Sequence, residues 1–234
     1  MNFEGKVALI AGGAGGLGRI VVRHLASLGA SIAVPLHSEA DRASLPGGSS
    51  ARIFSEVCDI ADEKSAARFV DEVEKRFGSI DILINLAGGF AGGKLIEDVP
   101  TQEWREMLDG NLTTAFLMCR SVLPVLRKKN AGRIISIAAM PALTSGAKRG
   151  PYAIAKRGVI TLTETIADEV RGTGITANAI APSIILTAAN KNSMPDADSS
   201  RWVTPEEIAA LIAFLCSDEA RSISGNVIRI YGRV

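Results

Sequence analysis

Short apolar runs alternate with stretches whose apolar residues return every three or four positions. Val7–Ala11, Ser31–Leu36, Ala51–Val57, Ile80–Ile84, Arg133–Ala138, Ile175–Ile180 and Val227–Ile230 read as strands. Helical periodicity predicts helices over Leu17–Leu28, Asp62–Phe77, Tyr152–Arg171 and Pro205–Cys216, and over Thr101–Lys129 in two pieces broken near Gly110. In Asp62–Phe77 the apolar set is Ala66, Phe69, Val70, Val73 and Phe77, and Gly78 supplies the stop. Pro205 suits a first helical turn. Ala43–Ser50, with its Pro-Gly-Gly-Ser-Ser, is expected to be loop.

Strands separated by helices need crossover connections, which make the sheet parallel with helices on both faces. The pattern runs without a linker, and no repeat is evident, so residues 1–234 are expected to form a single α/β domain. A parallel sheet of this kind binds its ligand outside the carboxyl ends of the strands. Residues that follow strands are therefore the first place to look for chemistry.

Composition narrows the partners. The chain of 234 residues is 47% hydrophobic and 22% charged, with a formal net charge of +1. No basic excess favours nucleic acid or an anionic membrane surface. No apolar stretch is long enough to span a membrane, and no basic stub precedes a secretory h-region. Cys58, Cys119 and Cys216 lie far apart, with no Cys/His cluster for a metal, and are expected to be reduced thiols of a cytoplasmic protein.

The first strand runs into Ala11-Gly12-Gly13-Ala14-Gly15-Gly16-Leu17-Gly18. Glycines allow a tight turn and close backbone approach, and the helix start that follows offers free N–H groups to a pyrophosphate. Gly12, Gly16 and Gly18 are spaced GxxxGxG rather than GxGxxG. Asp59 follows the third strand, where its carboxylate can accept a hydrogen bond from an adenine amine, and Asn85-Leu86-Ala87-Gly88 follows the fourth. Tyr152 and Lys156 are four apart on one helix, so they share a face. An ammonium near a phenol favours phenolate, and lowers its pKa toward the working range of an acid–base catalyst.

In this order and spacing, the chain resembles the short-chain dehydrogenase/reductase family over essentially its whole length. The resemblance implies a Rossmann-type three-layer α/β/α sandwich of about seven parallel strands, NAD(H) or NADP(H) as cofactor, a small-molecule substrate and a homodimer or homotetramer. It implies cofactor contacts at Gly12, Gly15, Gly16, Leu17, Gly18, His37, Asp59, Ile60, Asn85, Ala87, Gly88, Pro182 and Ile185, and at Tyr152 and Lys156. It gives Tyr152 the role of general acid/base, Lys156 that of gripping the nicotinamide ribose, and Asn111 that of holding a proton-relay water. Pairing of the helices Asn111–Lys129 and Tyr152–Arg171 across a two-fold axis is implied as well.

The chain departs from the family at several points. The family's catalytic serine lies about thirteen residues before the tyrosine, and Ala139 stands there. Ser136 should face the other way, because side chains alternate along a strand, while Thr144 and Ser145 in the following loop are possible substitutes. Leu36 stands where an acidic residue would select NAD. His37, Ser38 and Arg42 offer donors to a 2′-phosphate, so NADPH should be accepted. Residues 87–93 and 190–202 look like the dihydropteridine reductase branch of the family, which keeps Tyr and Lys, lacks the serine and reduces quinonoid dihydropterins. The loop over residues 183–203 would then close on substrate, with Phe90, Ala139, Met194 and Trp202 lining its pocket. The alternatives are a carbonyl or alcohol substrate, as in 3-oxoacyl reductases, and a non-catalytic NAD(P)-binding protein.

Overall fold

The computed structural model describes residues 1–46, 52–144 and 146–233. Seven parallel strands form one sheet: β1 (Val7–Ala11), β2 (Ser31–Leu36), β3 (Ile53–Val57), β4 (Ile82–Asn85), β5 (Ala131–Ile137), β6 (Gly174–Pro182) and β7 (Val227–Ile230). Their spatial order is β3-β2-β1-β4-β5-β6-β7. The order reverses between β1 and β4, whose register runs Ala8 to Ile82 through Ala11 to Asn85. The chain leaves the sheet on opposite sides there, and a crevice opens at the strand ends.

Alternation along the strands feeds two cores, which is why the strands read as continuous apolar runs. Ala8 and Ile10 of β1 pack with Val21 and Leu25 of α1 (Gly18–Ser27) and with Ile208 and Ile212 of α8 (Pro205–Cys216). Val7, Leu9 and Ala11 face the other layer, built from α2 (Glu63–Phe77), α4 (Thr114–Lys129) and α6 (Gly150–Glu169). That layer buries Phe69, Val73, Met118, Leu126 and Ile166. At about 2 kcal/mol for each fully buried large side chain, these two layers dominate the stabilisation of the sheet.

Local signals set the ends of several elements. The Asp62 side chain caps α2 by accepting the Ser65 N–H, and Gly78 ends the helix at φ 80°. Thr204 and Glu207 form a capping box at the start of α8, with Pro205 in the first turn. The fourth strand begins at Ile82 rather than Ile80, because Ile80 is buried in the core but belongs to the connection. The third begins at Ile53, and Ala51 and residues 47–50 of the expected loop lie outside the described residues. Ala43 and Ser44 are not loop: a 3-10 turn covers Glu39–Ser44, nucleated by a capping box between Ser38 and Asp41.

The expected break near Gly110 is a change of helical pitch. α3 (Thr101–Leu108) passes into α4 through a π-helical turn, Asp109–Thr113, without interruption. Such one-turn insertions cluster at functional sites because they re-aim a side chain. Here the turn buries Asn111 completely. Two short helices were not expected: α5 (Pro141–Thr144) after β5, and α7 (Ala188–Ser193) within the 183–203 loop. Thr187 caps α7 by accepting the Asn190 N–H.

Candidate active site

The crevice between β1 and β4 holds most of the residues singled out from the sequence. After β1 the chain turns through Gly12 at φ 80°. A Cβ on Gly12 would lie 2.6 Å from the Ala87 nitrogen, and one on Gly18 would overlap the Gly12 carbonyl oxygen. Only glycine allows the two loops to lie against each other this closely. Gly15 and Gly16 are exposed at the crevice. Leu17, the N-cap of α1, makes no side-chain cap, and the first turn has no acidic residue. The Gly15 N–H is taken by the Gly12 carbonyl at 3.1 Å, and the amides that follow at the start of α1 suit a dinucleotide pyrophosphate.

Beneath the loop after β4 lies a buried polar group. Asn111 Nδ2 donates to the carbonyls of Gly89 (3.1 Å) and Met107 (2.9 Å), and its Oδ1 is buried without a partner. Gly88, at φ 148°, packs directly on that oxygen, and a Cβ there would lie 3.1 Å from Lys156 Nζ. The ammonium donates to the Ile137 carbonyl at 2.9 Å and is buried. Tyr152 is one turn earlier on α6, half-buried, with the Phe90 ring edge-on to it at 5.0 Å between centroids.

Electrostatics here run against one sequence expectation. Burial pushes the Tyr152 phenol up to about 12, not down. The physical reason is that its removal from water goes uncompensated, while the Lys156 ammonium is directed at the Ile137 carbonyl. Burial also draws Lys156 down to about 8, so at neutral pH it remains mainly cationic.

Other assigned residues occupy varied places. Asn85 turns inward: its Nδ2 donates to Ser136 Oγ (3.2 Å) and Cys119 Sγ (3.3 Å), which makes it a brace between β4, β5 and α4. Ser136 is thereby engaged as the acceptor of the Asn85 amide. Ala87 backs Gly12, Asp59 is exposed with Oδ1 accepting the Ala61 N–H, and Ile60 is half-buried beside it. Pro182 ends β6, and its carbonyl accepts the Met140 N–H. Ile185 pairs with Val203 to close the base of the 183–203 loop. Met194 is half-buried in that loop, whereas Trp202 is almost wholly buried and packs at its base.

Of the two substitutes considered for the missing serine, Thr144 is engaged elsewhere. The Thr144 hydroxyl is exposed and donates to the Met140 carbonyl within its own helix, and Ser145 lies outside the described residues. At the end of β2, two of the three expected phosphate donors are already bonded. The Asp41 carboxylate accepts the Ser38 hydroxyl and N–H, and Arg42 is fixed by Glu39 and Ser55. His37 is exposed there. Thr187 escaped the sequence reading: its Cγ2 would lie 3.2 Å from a Cβ on Gly16, so it covers the glycine loop. A threonine is an ordinary helix cap, and nothing in its local sequence marks this long-range contact.

The fold, the glycine loop and the Tyr/Lys helix together define an NAD(P)-dependent oxidoreductase, and the chain belongs to the short-chain dehydrogenase family, whose sequence model, described as "short chain dehydrogenase", matches residues 6–198. Among its relatives, 3-oxoacyl-[acyl-carrier-protein] reductase of Escherichia coli (strain K12) is 31% identical over 240 residues, covering 99% of this chain and 98% of that protein. D-beta-hydroxybutyrate dehydrogenase of Cupriavidus necator is 33% identical over 248 residues, covering 96% of each. The crystal structure of levodione reductase superposes with a TM-score of 0.91 at 31% identity, covering 99% of this chain and 98% of that one. The local likeness to the dihydropteridine reductase branch gains no support from these relatives, which favour the carbonyl/alcohol alternative. The unpartnered Asn111 Oδ1, the Gly88 cradle and the uncapped start of α1 all fit NAD(P)(H). No helix among the described residues is long and apolar enough to cross a membrane, and no cluster of three or more His, Cys, Asp or Glu side chains there is disposed to hold a metal.

Burial of Lys156 has a measurable consequence. Its ammonium titrates near 8 when folded and near 10.5 when exposed. Between those values the unfolded chain binds more protons, so Lys156 adds stability as pH rises through the window. Below it the full penalty remains, roughly 3 kcal/mol at about 1.4 kcal/mol per unit. Lys156→Met should therefore unfold at higher urea than the parent at pH 7, even without the bond to Ile137. That gap should narrow between pH 8 and 10.5. A variant less stable at pH 7, or a gap independent of pH, would contradict the burial cost.

Proposed function

We propose that the chain interconverts a small carbonyl compound and its alcohol, of the 3-oxoacyl/3-hydroxyacyl type, with Tyr152 as the proton-transferring residue. The observation that carries this reading is the convergence of Asn111 Oδ1 and Lys156 Nζ on Gly88, one helical turn from the Tyr152 phenol. NAD(P)(H) supplies the hydride. Tyr152, kept protonated by burial, gives its proton to the carbonyl oxygen as charge develops there, and takes it back in the reverse direction. The Lys156 cation stabilises the phenolate so formed. Asn111 offers its open acceptor to the relay that reprotonates Tyr152.

Gly12, Gly15, Gly16, Leu17 and Gly18 would hold the pyrophosphate, with Thr187 over them, and Asp59 and Ile60 the adenine. With Ser38 and Arg42 engaged and Leu36 uncharged, the end of β2 offers neither a strong 2′-phosphate site nor a carboxylate for a 2′-hydroxyl, so both NAD(H) and NADP(H) are accepted. Residues 183–203 act as the substrate loop of a single domain. α4 and α6 form the self-association surface, with Phe116 and Ile154 44% and 47% exposed upon them. Reduced, buried thiols at Cys58, Cys119 and Cys216 agree with a cytoplasmic location.

A second reading has one observation behind it. With Ala139 buried in the serine's place, Tyr152 is the only hydroxyl assigned to the substrate oxygen. A single donor suits an acceptor that spreads its incoming charge over several atoms, as a quinonoid dihydropterin does. Paired kinetics separate the two: on the quinonoid reading the parent should reduce a quinonoid dihydropterin well and simple ketones poorly, and Ala139→Ser should raise ketone turnover about tenfold more than pterin turnover, since only an alkoxide-like transition state needs the second donor. Brisk ketone turnover by the parent with no pterin activity would favour the carbonyl reading.

Tyr152→Phe tests the central assignment. Turnover should fall about 10²–10⁴-fold, while NAD(P)H affinity, read by nicotinamide fluorescence, stays close to that of the parent. Turnover like the parent, or lost NAD(P)H binding, would overturn it.

A further inference from the structure

The 183–203 loop leaves the sheet after β6 and returns just before α8. Among the described residues, every hydrogen bond made by residues 187–200 ends on a residue between Ile185 and Trp202, as where Thr187 accepts the Asn190 N–H and Asp198 the Ser200 N–H. None of these residues, α7 included, belongs to the buried core. Few bonds to the body of the protein and little burial make such an arm easy to displace. Its hydrogen-bonded support comes from its two feet.

The feet are joined to each other and to the segment that follows β7. Ile185 bridges Val203, with the Leu186 N–H on the Val203 carbonyl (2.7 Å) and the Val203 N–H on the Ile184 carbonyl (3.0 Å). At the first foot, the Ser183 N–H donates to the Ile230 carbonyl (3.0 Å) and the Ser183 hydroxyl to the Tyr231 carbonyl (2.8 Å). At the second, Arg201 and Arg233 bond in both directions. The Arg201 carbonyl accepts the Arg233 N–H (3.0 Å), and Arg201 Nε donates to the Arg233 carbonyl (2.8 Å).

Gly232 turns the segment between these bonds at φ 63°, and a Cβ there would lie 2.7 Å from the Arg201 carbonyl oxygen. A side chain at this position would meet both steric overlap and backbone strain. Three consecutive residues, 231–233, thus hold both feet of the loop. Thr187 stands four residues beyond Ser183. Its hydroxyl caps α7, and its Cγ2 reaches the glycine loop, 3.2 Å from where a Gly16 Cβ would be. A displacement of the feet therefore reaches Gly16 through one short stretch of chain.

We infer that residues 231–233 act as a clasp on the 183–203 loop, with Ser183 and Arg201 as positioning residues, and that through Thr187 the clasp sets how long NAD(P)(H) stays bound. This rests on the reading above that the glycine loop holds the pyrophosphate. Proton transfer by Tyr152 takes no part in it.

The test uses Gly232→Ala, Ser183→Ala and Arg201→Met, with Arg229→Met, an exposed position on β7, as the control for loss of a charge. In the free protein, the Leu186 and Val203 amides should exchange hydrogen about tenfold faster in Gly232→Ala, the worth of one lost hydrogen bond, and by a smaller factor in Ser183→Ala and Arg201→Met. The amides of β1 and β4 should keep the parent's rates. NAD(P)H release, followed by nicotinamide fluorescence during displacement, should quicken in the same order. Thr187→Ser keeps the cap of α7 and removes the methyl over Gly16. In that background Arg201→Met should still free the loop amides and add nothing to release, because both act through one contact. Unchanged exchange at Leu186 and Val203, an equal effect of Arg229→Met, or the same gain in release with and without the Thr187 methyl would overturn the proposal. Protection of the Gly16 and Leu17 amides by NAD(P)H checks the reading beneath it. Binding without that protection would sink the reading and the proposal with it, whereas protection with release unmoved in Arg201→Met would sink the proposal alone. Neither readout requires turnover, so failure of the carbonyl reading shows separately, as no ketone reduction.

Discussion

The site depends on how closely two loops can approach. β1 and β4 are neighbours in the sheet, and their pairing continues past the strand ends through the Leu86 N–H on the Ala11 carbonyl at 2.9 Å. Gly12 then lies on the backbone of Leu86 and Ala87 with no room for a side chain. That contact brings Gly88 down onto Asn111 and Lys156, and leaves the glycine loop facing the same crevice. The proposed dinucleotide and proton-transfer sites thus share one wall.

The polar atoms behind that wall are held at a cost. Lys156 loses water and gains one carbonyl, and Asn111 Oδ1 and Asn85 Oδ1 are buried with no partner. Unsatisfied polar groups inside a fold are destabilising unless something meets them. The two beside Gly88 and β4 are the reverse of what stability alone would select. The adjoining layers carry the compensation, since strands buried on both faces and helices such as α2 and α8 supply apolar area and well-formed caps.

Periodicity made the architecture legible. Each of the seven strands and each long helix falls where apolar spacing predicts it, because burial on a sheet face or helix stripe dictates that spacing. Misplaced boundaries have physical causes: Ile80 is buried without being strand, and Gly110 widens a helical turn instead of ending it. Glycine spacing and the Tyr/Lys pair pointed to the candidate site, since the chemistry proposed there needs particular residue types at particular intervals. What stayed hidden rests on long-range contact. The Ile137 carbonyl as partner of Lys156, Thr187 over Gly16 and the engagement of Arg42 by Glu39 and Ser55 leave no trace in spacing. Neither does the rise of the Tyr152 pKa, which reflects burial rather than the residue four positions away.

The central claim is that Gly88 seats Asn111 and Lys156 where Tyr152 can use them. Gly88→Ala against Gly89→Ala tests it most directly, because a Cβ on Gly88 strikes the Asn111 oxygen whereas one on Gly89 meets nothing within 4 Å. Measured by kcat for NAD(P)H-dependent ketone reduction, with circular dichroism to verify the fold, Gly88→Ala should lose about a hundredfold, the scale of a misplaced catalytic group. Gly89→Ala should stay near the parent. Equal turnover by the two folded variants would contradict the account.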